Sequence, residues 1–486
     1  MAAAFLASHG IDIDSELHRI QFGQDSTTPG GSQDTPAVTL VRNASLPNTP
    51  SGSTWDIYFH TPSFANGKET GISSIKPHDA SSVSQSPGVI DAHAALLAPS
   101  LCHPHIHLDK PYLLSHPKYS HLQVERGDFA EAMELTGQAK ANFAQDDLLE
   151  RGQRAIDESV AAGVTHIRAF VEVDAGVQMK CLDAGIELKR KAKGRCEVQI
   201  CAFAQLPLFS SSDGDENGSV IRGLMTEAAE RQEVDVMGST PYVESDREKQ
   251  KENVRWIIDL AIKHQKHLDL HLDYNLDPDT PPLVHPVVDT LHKMKWTSAN
   301  PNKTILLGHC TRLTLFSPSQ WHDLRSLIAD LPLYFVGLPT SDLYMMRPAH
   351  PENLPLQQPT LYPGKMIQDY GLKCCLGVNN IGNAFTPQGS CDPLTLACQG
   401  VGVYQLGTRQ GTEMLYACVG TLAREAIGLG RERQIGDSSV REGDGDLVLF
   451  AAEEVVWTTR RTVSEVVYLY DLCRGRRGFL NGRLVS

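Results

Sequence analysis

From about residue 92 onward, short apolar runs alternate with longer amphipathic stretches. The runs 94–102, 164–173, 197–206, 234–243, 267–273, 304–309, 333–338 and 373–378 each read as a buried strand. Between them lie helical patterns. In 253–264, Val254, Ile257, Ile258 and Ala261 recur at i, i+3, i+4 and i+7. The stretch 146–163 opens on acidic residues and closes at Gly163, as the helix dipole and C-cap chemistry prefer. Eight strands with intervening helices predict an α/β fold, a (β/α)8 TIM barrel over residues 91–429.

The two ends have a different rhythm. Segments 24–54 and 78–88 are rich in Ser, Thr, Pro, Gly and Asn and read as loops. Strand-like runs at 37–41, 55–59 and 88–91 surround them, and runs at 446–450, 466–470 and 478–485 follow the barrel. Neither end alone has enough strands for a stable sandwich, so residues 1–90 and 430–486 are expected to build one small composite β-sandwich domain.

Composition narrows the function classes. At 486 residues and 41% hydrophobic, the chain can bury one large core and one small one. Its net charge of -14 argues against a nucleic-acid or anionic-membrane partner. No run reaches the roughly 18 apolar residues that a membrane span needs. The opening MAAAFLASHG lacks a basic n-region and is not read as a signal peptide, so a cytoplasmic location is expected. The 11 cysteines are odd in number, lack a CxxC pair and sit mostly in apolar runs, as Cys196, Cys201, Cys374 and Cys375 do. They read as buried free thiols in a reducing compartment. A small-molecule substrate is the expected partner, and a homo-oligomer stays open.

Several strands end in polar residues that an ordinary core would not need. The first runs into His103-Pro104-His105-Ile106-His107-Leu108-Asp109. In an extended chain, residues two apart share a face, so His105 and His107 could chelate one metal together. An HxH alone is weak evidence. His271 at the end of the fifth strand and His309 at the end of the sixth strengthen it, because barrel active sites lie at the C-terminal ends of the strands.

This pattern resembles the amidohydrolase superfamily, and within it the cytosine-deaminase-like branch. The HxHLD of His105–Asp109, the AFxQ of Ala202–Gln205, His271, His309, and the last-strand sequence Asn379-Asn380-Ile381-Gly382-Asn383 with Pro387-Gln388-Gly389 carry the likeness. The resemblance implies one divalent metal, Zn2+ or Fe2+, on His105, His107 and His271. It implies that His309 hydrogen-bonds the metal-bound water or the intermediate, and that Gln205 binds an amide-like edge of the substrate. The loop carrying Ser341 and Asp342 would line the pocket.

Two departures fall on the chemistry. Asn379 stands where the family has a metal-binding, proton-accepting aspartate, and Tyr274 stands where it has a glutamate. An amide cannot accept that proton, and general acid–base help is typically worth about 100- to 10,000-fold. Asp109, Asp273, Tyr274 and Asp342 are the candidate replacements, with Asp109 also a candidate for substrate binding. Asp109-Lys110 could instead form an ion pair that orients the first strand. The expected function is a mononuclear metal-dependent amidohydrolase or deaminase acting on a C–N bond of a small amide or amidine, with cyclic ones among the candidates. The alternatives are a pseudoenzyme and a non-hydrolytic metal-dependent lyase or isomerase.

Overall fold

The computed structural model describes residues 37–60, 70–81, 86–210, 215–346, 359–431, 433–434, 436–451, 457, 459–472 and 475–486. The opening segment 1–36, and with it the N-terminal leader reading, lies outside the described residues.

Eight consecutive strands form one parallel sheet in chain order. They are β6 (Leu101–His107), β7 (Val164–Glu172), β8 (Glu197–Ala204), β9 (Val234–Ser239), β10 (His267–Leu272), β11 (Ile305–His309), β12 (Leu333–Gly337) and β13 (Cys374–Leu376). An isolated parallel bridge between Ile106 and Asn379 links the first strand to the segment just after the last. Helices fill the crossovers, among them α1 (Phe129–Ala141), α2 (Gln145–Ala161), α3 (Lys180–Ala192) and α4 (Ser219–Glu230). The eight-stranded barrel expected from the apolar runs is therefore present.

The first strand differs from its expected bounds. Leu97–Pro99 forms its own strand, β5, which pairs with the C-terminal β14 (Leu447–Ala451), and the barrel strand begins only at Leu101. Pro104 lacks a ladder donor, and the register with β7 shifts between His103 and Ile106. His103 thereby leaves the face of His105 and His107, and its Nε2 lies 3.1 Å from Ser159 Oγ on α2.

The β-rich ends give two four-stranded sheets. One contains β1 (Leu40–Ala44), β2 (Trp55–Phe59), β3 (Ile72–Pro77) and β4 (Val89–Asp91); the other contains β5, β14, β15 (Gly475–Leu480) and β16 (Arg483–Leu484). Val41, Ile57, Phe59 and Ile72 share one core with Leu447, Leu449 and Phe479, and the Phe59 and Phe479 rings stack at 5.6 Å. The strand expected at 466–470 is instead a helix, Val463–Tyr468. Thr462 and Glu465 close a capping box at its start, which overrides the β preference of its valines. No described helix is long and apolar enough to cross a membrane. The ten described cysteines are unpaired, and all but Cys398 are buried.

Two buried histidines away from the barrel mouth make the fold acid-sensitive. Burial, then the Arg424 charge, lowers His166 to about 3, although Asp446 opposes the shift. Burial, then Arg168, lowers His267 to about 2. Below the ordinary pKa of about 6.5, the unfolded chain takes up protons that the folded chain refuses. Their contribution is therefore complete above pH 6.5 and is lost as pH falls toward 3. Each should cost about 2 kcal/mol between pH 7 and pH 5. Urea midpoints across that window should fall, and should fall less in His267→Gln; equal slopes in the two proteins would contradict this.

Candidate metal centre and its surroundings

Three imidazoles converge at the mouth of the barrel. His271 Nε2 lies 3.2 Å from His105 Nε2 and 3.2 Å from His107 Nε2. All three rings are buried. Burial is the largest cause that lowers each of them well below the ordinary histidine range. Neighbouring positive charges add to it, and the Asn379 side chain partly opposes the shift at His105. The rings are therefore neutral, and three neutral Nε2 atoms crowded together fit a cation that their lone pairs would share. Among the described residues this is the cluster with metal-ligand spacing.

The barrel is shaped around these rings. A Cβ at Gly308 on β11 would sit 3.1 Å from His105 Cε1, and one at Gly377 after β13 would sit 3.1 Å from His105 Cβ. Phe170 and Phe203 form a floor, with ring centroids 4.0 Å from His105 and 4.3 Å from His271 respectively.

Carboxylates stand behind two of the rings. Asp269 Oδ1 is 3.9 Å from His105 Nδ1, and Asp109 Oδ1 is 4.0 Å from His107 Nδ1. Asp269 Oδ2 accepts a 3.0 Å bond from Arg168, and Asp109 Oδ2 accepts one of 2.9 Å from the Glu172 backbone N–H. Burial raises both, Asp269 to about 7 and Asp109 to about 6. Carboxylates on the far nitrogen fix a ligand ring's orientation and raise its basicity. Asp109 thus stands behind the His107 ring rather than facing the cavity. Asp269 and Arg168 escaped the sequence reading, since both look like ordinary strand residues there. Lys110 forms its ion pair with Glu172, and Glu172 pairs also with Lys140 on α1. Burial alone would raise Glu172, but the two lysines outweigh it and hold the carboxyl at about 2.

Three residues at or shortly after strand ends turn through left-handed backbone: Asp273 at φ 51°, His309 at φ 66° and Asn379 at φ 64°. These turns decide where each side chain goes. His309 Nδ1 lies 2.8 Å from Asp342 Oδ1. Asp342 Oδ2 accepts 3.2 Å and 3.0 Å bonds from the Leu338 N–H and the Thr360 hydroxyl. His309 also lines a cavity of about 20 Å³ with His107, His271, Tyr274, Gln205 and Asn379, room for about one water. The Asn379 amide nitrogen donates to Ser341 Oγ at 2.8 Å, and its buried Oδ1 has no partner. Ser341 Oγ also meets Thr386 Oγ1 at 2.6 Å, so Ser341 holds Asn379 in place. The half-buried Tyr274 ring lies 4.1 Å from His309, and burial pushes its hydroxyl well above the usual tyrosine range.

Asp273 does not reach this cavity. Its carboxylate accepts the Leu283 and Val284 backbone N–H groups at 2.6 and 3.0 Å, at the start of the helix Val284–Lys293. Unpaired N–H groups at a helix start attract a carboxylate, and the left-handed turn aims Asp273 at them rather than at the histidines. Gln205 is nearly buried at 9% exposure and lines both the small cavity and a larger one beside it.

No family model and no curated protein sequence matches the chain. Solved structures do match in three dimensions. The 5-methylcytosine deaminase from Klebsiella pneumoniae liganded with 5-fluorocytosine has a TM-score of 0.74 at 20% identity, over 92% of this chain and 97% of that one. The N-isopropylammelide isopropylaminohydrolase from Burkholderia multivorans has a TM-score of 0.67 at 19% identity, over 92% and 97%. An adenosine deaminase from Xanthomonas campestris with bound zinc has a TM-score of 0.57 at 13% identity, over 88% of each chain. The chain therefore shares the barrel fold of these structures.

Proposed function

We propose that this chain is a metal-dependent hydrolase of a C–N bond in a small cyclic amide or amidine. The observation that carries the reading is the convergence of three neutral Nε2 atoms beside the His309–Asp342 pair and the Gln205 amide at the C-terminal mouth of the barrel. His105, His107 and His271 would hold one Zn2+ or Fe2+. Such an ion is a Lewis acid that brings the pKa of a water toward about 7.

The chain's own groups supply the rest. Asp342 takes the Nδ1–H of His309, which leaves the His309 Nε2 lone pair free to accept a proton. The Thr360 hydroxyl and the Leu338 N–H fix Asp342, so the imidazole is held in one orientation. Asn379 cannot take a proton, and its unpartnered Oδ1 can accept a hydrogen bond. His309 therefore takes over the proton that the family's aspartate would carry. Tyr274 stays protonated and can donate a hydrogen bond toward a departing nitrogen. Gln205 offers a donor and an acceptor to the substrate's amide edge.

Full-length protein loaded with Zn2+ or Fe2+ should release ammonia, or a ring-opened acid, from at least one member of a panel of cyclic amides, amidines and imides. Chelation should abolish that turnover and reloading should restore it. Equal turnover with and without metal, or none from any member by fully loaded protein, would overturn the reading.

A further inference from the structure

Beside the metal cavity lies a second cavity of about 300 Å³, bounded by α1, the turn after β7 and the start of α4. Gln205 and Phe385 line both, so the two spaces meet at these side chains. The volume is at the lower end for small-molecule sites. Its charged residues are already paired. Lys140 holds Glu172 and Asp174. Asp174 also accepts the Gly176 and Val177 N–H groups, each at 2.8 Å, and Asp215 accepts those of Val220 and Ile221 at the start of α4. A further charge brought into this pocket would find no free counter-charge and would lose its hydration.

The remaining surface is mostly apolar, with Met133, Leu206, Ile221 and Phe385 as its larger faces. Two neutral polar groups stand out. One is Gln205 at the junction. The other is Thr136 on α1, which is 6% exposed and whose hydroxyl has no hydrogen-bond partner. Buried hydroxyls are normally satisfied, and leaving one without a partner is costly. Thr136 lines the cavity but its Oγ1 is closed to solvent, so a ligand atom would repair that loss once a χ1 turn brings the hydroxyl to the wall, one of two rotamers open to a helical threonine.

We infer that this side pocket is a substrate subsite that receives an uncharged, largely apolar substituent with one hydrogen-bonding atom directed at Thr136. Gln205 then grips the ring edge at the boundary, and the bond to be cleaved reaches the small cavity. The assignment relies on the proposed hydrolytic site only for which end of the molecule reacts.

Gly137 allows a test that spares the metal centre. It sits within α1 on the pocket wall, and a Cβ built there meets no atom within 4 Å. Leucine is the better helix former, so Gly137→Leu should fill space without weakening the helix. The probe is benzyl alcohol, with benzylammonium and benzoate as charged counterparts, followed by ligand-observed NMR titration of full-length protein with and without Zn2+.

Benzyl alcohol should bind saturably in both forms, with the two ions at least about tenfold weaker. Gly137→Leu should abolish the binding. Thr136→Val should weaken it severalfold while raising the thermal midpoint of the ligand-free protein, because an unsatisfied hydroxyl is removed. The subsite is overturned by any of three results: no saturable binding to wild type, binding that survives Gly137→Leu, or ions bound as tightly as the alcohol. Failure of turnover with the alcohol still bound would instead count against the hydrolytic reading alone.

Discussion

Replacing Asp342 with asparagine should lower kcat by about 100- to 10,000-fold, the range that general acid–base help supplies. The change leaves the size of the side chain nearly intact. It replaces one carboxylate oxygen by an amide nitrogen; the Leu338 N–H and the Thr360 hydroxyl need the oxygen that remains, so the nitrogen faces His309 Nδ1 at 2.8 Å and favours the tautomer in which Nε2 carries the proton and has no free lone pair. Metal content should stay that of the wild type, because Asp342 touches none of the three converging rings. KM should change little, since the loss falls on proton transfer. A variant with wild-type kcat, measured on whichever cyclic amide or amidine the panel identifies, would remove His309 from the role of base.

Asn379→Asp combined with Tyr274→Glu should act in the opposite direction. Asn379 Oδ1 is buried and unpartnered, and the side chain lines the cavity with His107, His271 and His309. A carboxylate there would add a negative charge beside a dication and a second proton acceptor. Metal should bind at least about tenfold more tightly, since opposite charges at short range in a dry site interact strongly. Hydrolysis should rise by about 10- to 100-fold, less than the full value of an acid–base group because His309 already serves. The glutamate also replaces a phenol that stays protonated with a group that can take up a proton. Ser341 can turn its hydroxyl to donate to the new carboxylate, so the position should tolerate the change. Competition against a chelator of known affinity measures the first effect. A double variant with unchanged metal affinity would show that position 379 does not face the ion.

Much of this site was legible in the chain because the barrel repeats a simple pattern. Apolar runs mark the strands, and the polar residue that ends each run faces the mouth, which was enough to bring His105, His107, His271 and His309 together. What was not legible depends on contacts between distant segments. The Asp269–Arg168 pair joins residues 101 positions apart. The role of Asp342 depends on a left-handed turn at His309, and that of Asp273 on a helix that begins eleven residues later. Neither turn leaves a mark in hydrophobic periodicity. Lys110 read as a partner for its neighbour Asp109, yet its charge goes to Glu172 across the sheet. The helix Val463–Tyr468 carried a capping box, a signal that its valines hid.

Elemental analysis of the full-length protein, purified without chelator and reloaded with Zn2+ or Fe2+, should find one ion per chain. His271→Ala should fall well below that value, because His271 Nε2 lies between the other two nitrogens at 3.2 Å from each. Wild-type protein that stays clearly below one ion per chain after reloading, or a His271→Ala variant that keeps its full complement, would contradict the account.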